Sequence, residues 1–247
     1  PLILAVINML NGLRLATRAA ALHPGGGARR WASKWAVPEG EAPIRTVLIM
    51  GSTRAKRVGG RVASAVERRA IERGHTVSVI DPRDSWDGHF MQLMDKAYFH
   101  YGEDDDVPPP LEEAAALLRE ADAYIVCTPE YNHTISPGLT NFMNHFGAST
   151  YSQKPSGIAV YSAGMWGGAR CGVALRAYLS ELGCLPVSAV LQLPSAWKAG
   201  TFAEDNGDGG SDQLKPDGMP GKALDRMLEQ LEWHGVAMRA MRTTSKP

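Results

Sequence analysis

The 247-residue chain has three cysteines, a formal net charge of zero and no long run of apolar residues. Each shortage removes a class of function. Cys127, Cys171 and Cys184 are odd in number and follow no metal or redox spacing, so free, buried thiols in a reducing compartment are the default expectation. The seven histidines are scattered, without an HExxH pair or a Cys/His cluster, so no metal site is expected. Leu2–Ile7 is apolar but is broken by Asn8 and Asn11, far short of the ~20 residues a membrane helix needs. With 26 basic residues against 26 acidic ones, neither a nucleic-acid binder nor a polybasic membrane anchor is indicated. Two phosphate-binding signatures are missing as well. No GxGxxG follows the first strand-like run, and Lys56 and its neighbouring glycines lack the GxxxxGK[ST] spacing. A standard NAD-binding Rossmann domain and a P-loop nucleotidase are thereby disfavoured.

What is present is the composition of an ordinary globular protein, 44% apolar and 21% charged, long enough to bury a sizeable core. Residues 1–43 read as a separate amino-terminal extension. They carry Arg14, Arg18, Arg29, Arg30 and Lys34 but no acid before Glu39 and Glu41. That bias resembles an organellar transit peptide, and an unstructured extension is the alternative. A cytoplasmic location is expected, or an organelle if the transit reading holds.

From Ile44 the pattern becomes regular, and residues 44–247 read as one domain. The apolar runs Ile44–Met50, Thr76–Ile80, Ala123–Thr128, Gly157–Tyr161 and Val187–Leu193 read as strands. Helical spacing joins Val58, Val62, Val66 and Ala70, and likewise Leu111, Ala114, Ala115, Leu118 and Ala121. Further helices are expected over Pro137–Phe146, Ala169–Leu182 and Lys222–Met241, and residues 194–220 read as a loop. Residues 81–108 read as a partly ordered excursion rich in aromatics, with Glu103–Asp106 as a solvated turn. Strands alternating with helices imply an α/β fold, a doubly wound parallel sheet.

Three turns follow strands one, three and four, and in such a sheet all three lie at one edge. The first, Gly51-Ser52-Thr53-Arg54 through Gly60, is small, hydroxyl-rich and basic, and it leads into a helix. Free helix amides and the helix dipole favour a phosphate there. The second, Pro129-Glu130-Tyr131-Asn132-His133, supplies a rigid proline, an aromatic ring and amides. The third, Ser162-Ala163-Gly164-Met165-Trp166-Gly167-Gly168, is glycine-rich, so a planar ring can come close to its backbone. A mononucleotide with a flat heterocycle suits this set better than a dinucleotide. Asp81, at the end of the second strand, reads as too far from the first turn to act as a ribose ligand.

Gly51-Ser52-Thr53-Arg54, Pro129-Glu130-Tyr131-Asn132 and Ser162-Ala163-Gly164 with Gly167-Gly168 resemble, in order and placement, the signatures of the NADPH-dependent FMN reductase family. These are flavodoxin-like quinone, azo and flavin reductases. The resemblance implies a flavodoxin-like, three-layer αβα fold with strand order 2-1-3-4-5, and bound FMN with NADPH as co-substrate. It implies an oxidoreductase working by ping-pong hydride transfer to a small-molecule acceptor. It also implies a homodimer or dimer of dimers. By position, Ser52, Arg54, Arg57, Val58 and Gly59 would hold the FMN phosphate, and Pro129, Glu130, Tyr131 and Asn132 would line the ribityl chain and ring. The amides of Asn132 and His133 would neighbour N5 and O4, and Ser162, Gly164, Gly167 and Gly168 would border the pyrimidine edge. No catalytic acid or base is assigned, because the cofactor carries the chemistry. Thr140-Asn141 and Asn144 stand where the family often has a Lys-Asn pair and an Asp. That puts a charge pair often associated with the dimer face in doubt, but not the FMN contacts. A flavodoxin-like electron carrier without NAD(P)H activity is the alternative, and a flavin-free scaffold a third reading.

Overall fold

The computed structural model describes residues 37–198, 201–202, 213–215 and 217–244. The extension reading therefore falls almost entirely outside the described residues, as does about half of the loop reading for 194–220. Five strands form one parallel sheet: β1 (Arg45–Met50), β2 (Thr76–Ile80), β3 (Ala123–Pro129), β4 (Pro155–Tyr161) and β5 (Leu185–Leu193). Their spatial order is β2-β1-β3-β4-β5, the flavodoxin-like order expected from the sequence. β1 pairs with β3 from Thr46↔Ala123 to Met50↔Cys127, and β3 with β4 from Tyr124↔Ser156 to Pro129↔Tyr161. The three turns that follow these strands consequently leave the sheet side by side.

Side-chain alternation divides the core into two layers. Leu48, Met50, Ile125, Cys127, Ala159 and Tyr161 pack beneath α1 (Gly59–Glu72) and the closing helix. Val47, Ile49, Tyr124, Val126, Ile158 and Val160 face the other side. That side is covered by α2 (Pro109–Glu120), α3 (Pro137–Asn144), α4 (Ala148–Tyr151) and α5 (Ala169–Glu181). β3 and β4 are buried at every position, which is why their sequences lack polar–apolar alternation. The single turn α4 was not legible in the sequence. Cys127, Cys171 and Cys184 are all buried free thiols, and burial pushes Cys127 up to about 12.

The stretch between β2 and α2 is ordered around an aromatic cluster. Two 3-10 turns fold back onto the helices, Ser85–Met91 onto α3 and Tyr98–His100 onto α2. Trp86, Asp87 and Gly88 all take positive φ, a sequence-invisible kink that carries Phe90 inward. The Phe90 ring then lies 4.8 Å from Phe142 and 5.1 Å from His145. Asn141 fixes the segment, donating to the Phe90 and Gln92 carbonyls and accepting from the Met94 amide at 3.0 Å. Asn144, at the other departure from the family pattern, accepts from the Tyr178 hydroxyl at 2.6 Å.

Charged clusters at the opposite edge lock the closing helix, α6 (Met219–Thr244), to the sheet. The fully buried Asp122 carboxylate accepts from Arg45, Arg239 and Arg242 and from the Arg45 amide. Arg239 also binds the carbonyls of Ala42 and Pro43 and the Glu41 carboxylate, so residues 41–43 are held to α6. Glu232, also buried, is bridged by Arg73 and His75, and His75 bonds Thr46 at 2.8 Å. Lys154 is buried with its ammonium against the Leu118, Arg119 and Thr150 carbonyls and the Tyr124 hydroxyl. Burial lowers it to about 8. It satisfies the last carbonyls of α2, a cap that its sequence position gave no hint of.

Candidate functional site

The three turns lie side by side at the carboxyl edge, the first two bonded to each other and the second to residues flanking the third. Gly51 starts the first turn where space is smallest. A Cβ there would lie 2.2 Å from Thr128 Oγ1 and 2.8 Å from Ser136 Oγ. The absent side chain lets Ser136 Oγ donate to the Gly51 carbonyl at 2.7 Å, with Thr128 Oγ1 2.9 Å from Ser136 Oγ. Turn one is thereby sewn to the chain on either side of turn two. Ser52 Oγ lies 3.1 Å from the Tyr131 hydroxyl, and the exposed Arg54 guanidinium lies 3.9 Å above the Tyr131 ring.

Among the helices that begin at this edge, α1 and α5 have amino termini that are treated differently. At α5 the amides of Arg170 and Cys171 donate to Glu130 at 3.0 and 3.2 Å, and the Arg170 guanidinium clamps the other oxygen. Burial would raise the Glu130 carboxyl, but these amides and the guanidinium bring it below its usual value. At α1 the cap residue is Val58, no side chain caps the helix, and the first turn holds no acid. Among the described residues, no backbone acceptor is recorded for the amides from Ser52 to Gly60. An α-helix of this length, left open at its positive end beside Ser52 and Arg54, is suited to an anion.

Turn two presents a second set of donors. Tyr131 and Thr134 exchange backbone bonds at 3.2 and 2.9 Å around Asn132 and His133, which have φ of 50° and 64°. Asn tolerates that conformation and His does so at a cost. Both residues are exposed, and among the described residues their amides have no backbone acceptor.

Several expected site residues are placed differently from the sequence reading. The Glu130 side chain, expected to line a ring, is consumed as the cap of α5, and only its backbone is free for a ligand. An acid ending a strand, opposite an α5 start without a capping side chain, was the signal for this. Arg57, expected on a phosphate, binds the Ser52 carbonyl and both Asp81 and Asp84. Asp81, read as remote, thus holds the first turn through Arg57 and also takes the Arg83 amide at 3.1 Å. Gly167 and Gly168 are buried with φ of 59° and 89°. A Cβ on them would meet Pro194 N or Val160 Cβ at 2.7 Å, so their missing side chains admit the protein's own backbone. Gly164 is exposed, with open space where its side chain would be, and Ser162 bonds its carbonyl at 3.0 Å. Val58 and Gly59 are buried at the head of α1 and Pro129 at the end of β3. Phe202 is buried under the Arg61 guanidinium, and Trp166 is exposed with Arg170 5.5 Å from its ring.

An FMN molecule, an anion joined to a planar ring, fits this donor set on two structural grounds. The α1 terminus is uncapped where the neighbouring α5 terminus is filled, and the Asn132 and His133 amides are displayed one strand away. No group of three or more candidate ligands for a metal ion occurs among the described residues. Among those residues, no helix is long and apolar enough to cross a membrane.

A sequence profile of the NADPH-dependent FMN reductase family matches residues 44–198. Among curated proteins, a quinone reductase of Escherichia coli K12 is 34% identical over 80 residues, 31% of this chain and 43% of that protein. An NAD(P)H-dependent FMN reductase of Pseudomonas aeruginosa is 34% identical over 84 residues, 33% of this chain and 45% of that protein. The chain thus spans less than half the length of these two relatives. Among solved structures, FerB, a flavoenzyme NAD(P)H:(acceptor) oxidoreductase from Paracoccus denitrificans, superposes with a TM-score of 0.58 at 21% identity. That match covers 77% of this chain and 99% of FerB. The apo form of the NADH:FMN oxidoreductase EmoB gives 0.58 at 15% identity, covering 77% of this chain and 89% of that one. At these identities the two structures bear on the fold alone.

Proposed function

The chain belongs to the NADPH-dependent FMN reductase family, and on that premise we propose that it is an FMN-dependent NAD(P)H oxidoreductase acting on a small-molecule acceptor. One observation carries the reading: the open α1 terminus with Ser52 and Arg54 lies bonded, through Tyr131, to a turn that displays the Asn132 and His133 amides. Bound FMN would supply the redox chemistry, taking a hydride from NADPH and passing two electrons to a quinone-, azo- or flavin-type acceptor in ping-pong order.

The chain's own residues bind and orient. The α1 amides and Ser52 hold the phosphate by hydrogen bonds and Arg54 by charge. Arg57 acts one step behind them, fixing the Ser52 carbonyl through its pairing with Asp81. The Asn132 and His133 amides approach one edge of the ring, and the backbone near Gly164 another. Met165, Trp166 and Trp197 are 74%, 58% and 55% exposed beside the third turn. Such an apolar rim suits a second subunit, and we assign the homodimer contact to it.

The activity is tested by loading the purified full chain with FMN and following NADPH oxidation with and without an added quinone. Quinone-dependent NADPH oxidation is expected. A protein that binds FMN but leaves NADPH unoxidised is instead an electron carrier.

A further inference from the structure

Beneath the first turn of α1, the hydroxyls of Ser52 and Tyr161 lie near each other, and that of Tyr161 makes no well-formed hydrogen bond. Tyr161, the last residue of β4, is 1% exposed, and its hydroxyl has no hydrogen-bond partner. It occupies the place of a missing side chain. A Cβ on Gly59 would lie 2.3 Å from the Tyr161 oxygen and 3.3 Å from Ser52 Cβ. The sequence therefore omits a side chain at the first position of α1 and admits a hydroxyl there, which lies near Ser52 without a well-formed hydrogen bond. Burying an unpaired hydroxyl is unfavourable, and phenylalanine would fill the same space without that cost. The unpaired hydroxyl lies behind the open amino terminus of α1.

This inference rests on the reading that an FMN phosphate docks at the α1 turn. We propose that Tyr161 is a positioning residue for that phosphate, its hydroxyl donating to Ser52 Oγ once the anion is bound. A serine oxygen carries one proton and two acceptor lone pairs. In the structure Ser52 Oγ shares a 3.1 Å hydrogen bond with the Tyr131 hydroxyl, and either proton can serve it. With Tyr131 and Tyr161 both donating, both lone pairs are filled and the serine proton is committed to the anion. Burial, first of all, holds the Tyr161 phenol well above its ordinary value, so it keeps the proton it would donate. The residue thus makes Ser52 a donor to phosphate without touching the ligand itself.

The test compares full-length wild type with Tyr161→Phe for binding of FMN and of riboflavin, which lacks the phosphate, and for unfolding of the flavin-free protein. The variant should bind FMN about tenfold more weakly, the loss of one hydrogen bond in a charge-assisted set. Its riboflavin affinity should be unchanged, and its flavin-free form at least as stable as wild type. Unchanged FMN affinity, or an equal loss for FMN and riboflavin, overturns the proposal. A wild type with no preference for FMN over riboflavin overturns the phosphate reading beneath it as well. A second comparison checks the geometry independently of flavin. Gly59→Ala should destabilise the wild type and be markedly better tolerated beside Tyr161→Phe, where the nearest ring carbon is 3.4 Å from the new Cβ. An equal penalty in both backgrounds contradicts the placement of the hydroxyl.

Discussion

Gly51→Ala is expected to destabilise the protein by about 3 kcal/mol, the upper part of the usual range for overpacking a buried site. The added methyl would meet Thr128 Oγ1, Thr128 Cβ and Ser136 Oγ at 2.2, 2.6 and 2.8 Å. None of these can swing away. Thr128 and Ser136 are fully buried, and their hydroxyls bond each other. The turn itself must move, which breaks the Ser136 bond to the Gly51 carbonyl and shifts Ser52. FMN affinity should therefore fall at least about tenfold along with stability. Urea unfolding and an FMN titration read both effects. A variant within about 0.5 kcal/mol of wild type, the usual range of neutral surface changes, would show that the turn is not clamped as described.

Asp122→Asn acts at the other edge of the sheet and should cost about 3 kcal/mol, the low end of the range for breaking a buried ion pair. The low end applies because the guanidiniums left behind can rehydrate. The Arg45, Arg239 and Arg242 side chains are 54%, 17% and 21% exposed, whereas the Asp122 side chain is 0% exposed. The effect has a defined pH dependence. Burial raises the Asp122 carboxyl, but the hydrogen bonds and charge of Arg45, with the charge of Arg239, outweigh it and hold the group below its ordinary value. A depressed carboxyl contributes its full stability above the unfolded value of about 3.9 and loses it as pH falls through the folded value. The gap between wild type and Asp122→Asn should thus be constant near neutrality and shrink below about pH 4. Glu232 and Glu130 are depressed in the same direction, so they add to the acid lability of the wild type. Unfolding curves for both proteins across acid pH provide the check, and a gap that widens in acid would reverse the sign of the argument.

The parts of the molecule written in local pattern were legible in the sequence. Thr76–Ile80 is a strand because its β-branched run is bounded by turn residues, and α1 follows the four-residue recurrence of Val58, Val62, Val66 and Ala70. Alternation of such elements limits the topology to a few arrangements, and the observed strand order is the one that the family resemblance implied. What escaped is long-range pairing of polar groups, which no window of sequence contains. Glu130 reads like a ligand residue until Arg170 and Cys171, some forty residues on, claim both its oxygens. Arg57 reads like a free cation until β2 brings Asp81 beside it. Tyr161 was read only as the end of a strand, because the absence of a partner for its hydroxyl exists only in three dimensions. The glycines divide along the same line. Gly167 and Gly168 serve backbone packing, and Gly51 and Gly59 make room for side chains from other strands.

The first turn thereby becomes more specific than a generic anion loop. Its helix terminus is open while its neighbour is capped, its serine sits between two tyrosines, and its second arginine is structural. The central claim is that this edge holds FMN. It is tested most directly by incubating the purified full chain with FMN, removing the free flavin and recording the visible absorbance spectrum. The account predicts a yellow protein that retains about one equivalent of FMN per chain. A colourless protein that takes up none would contradict it.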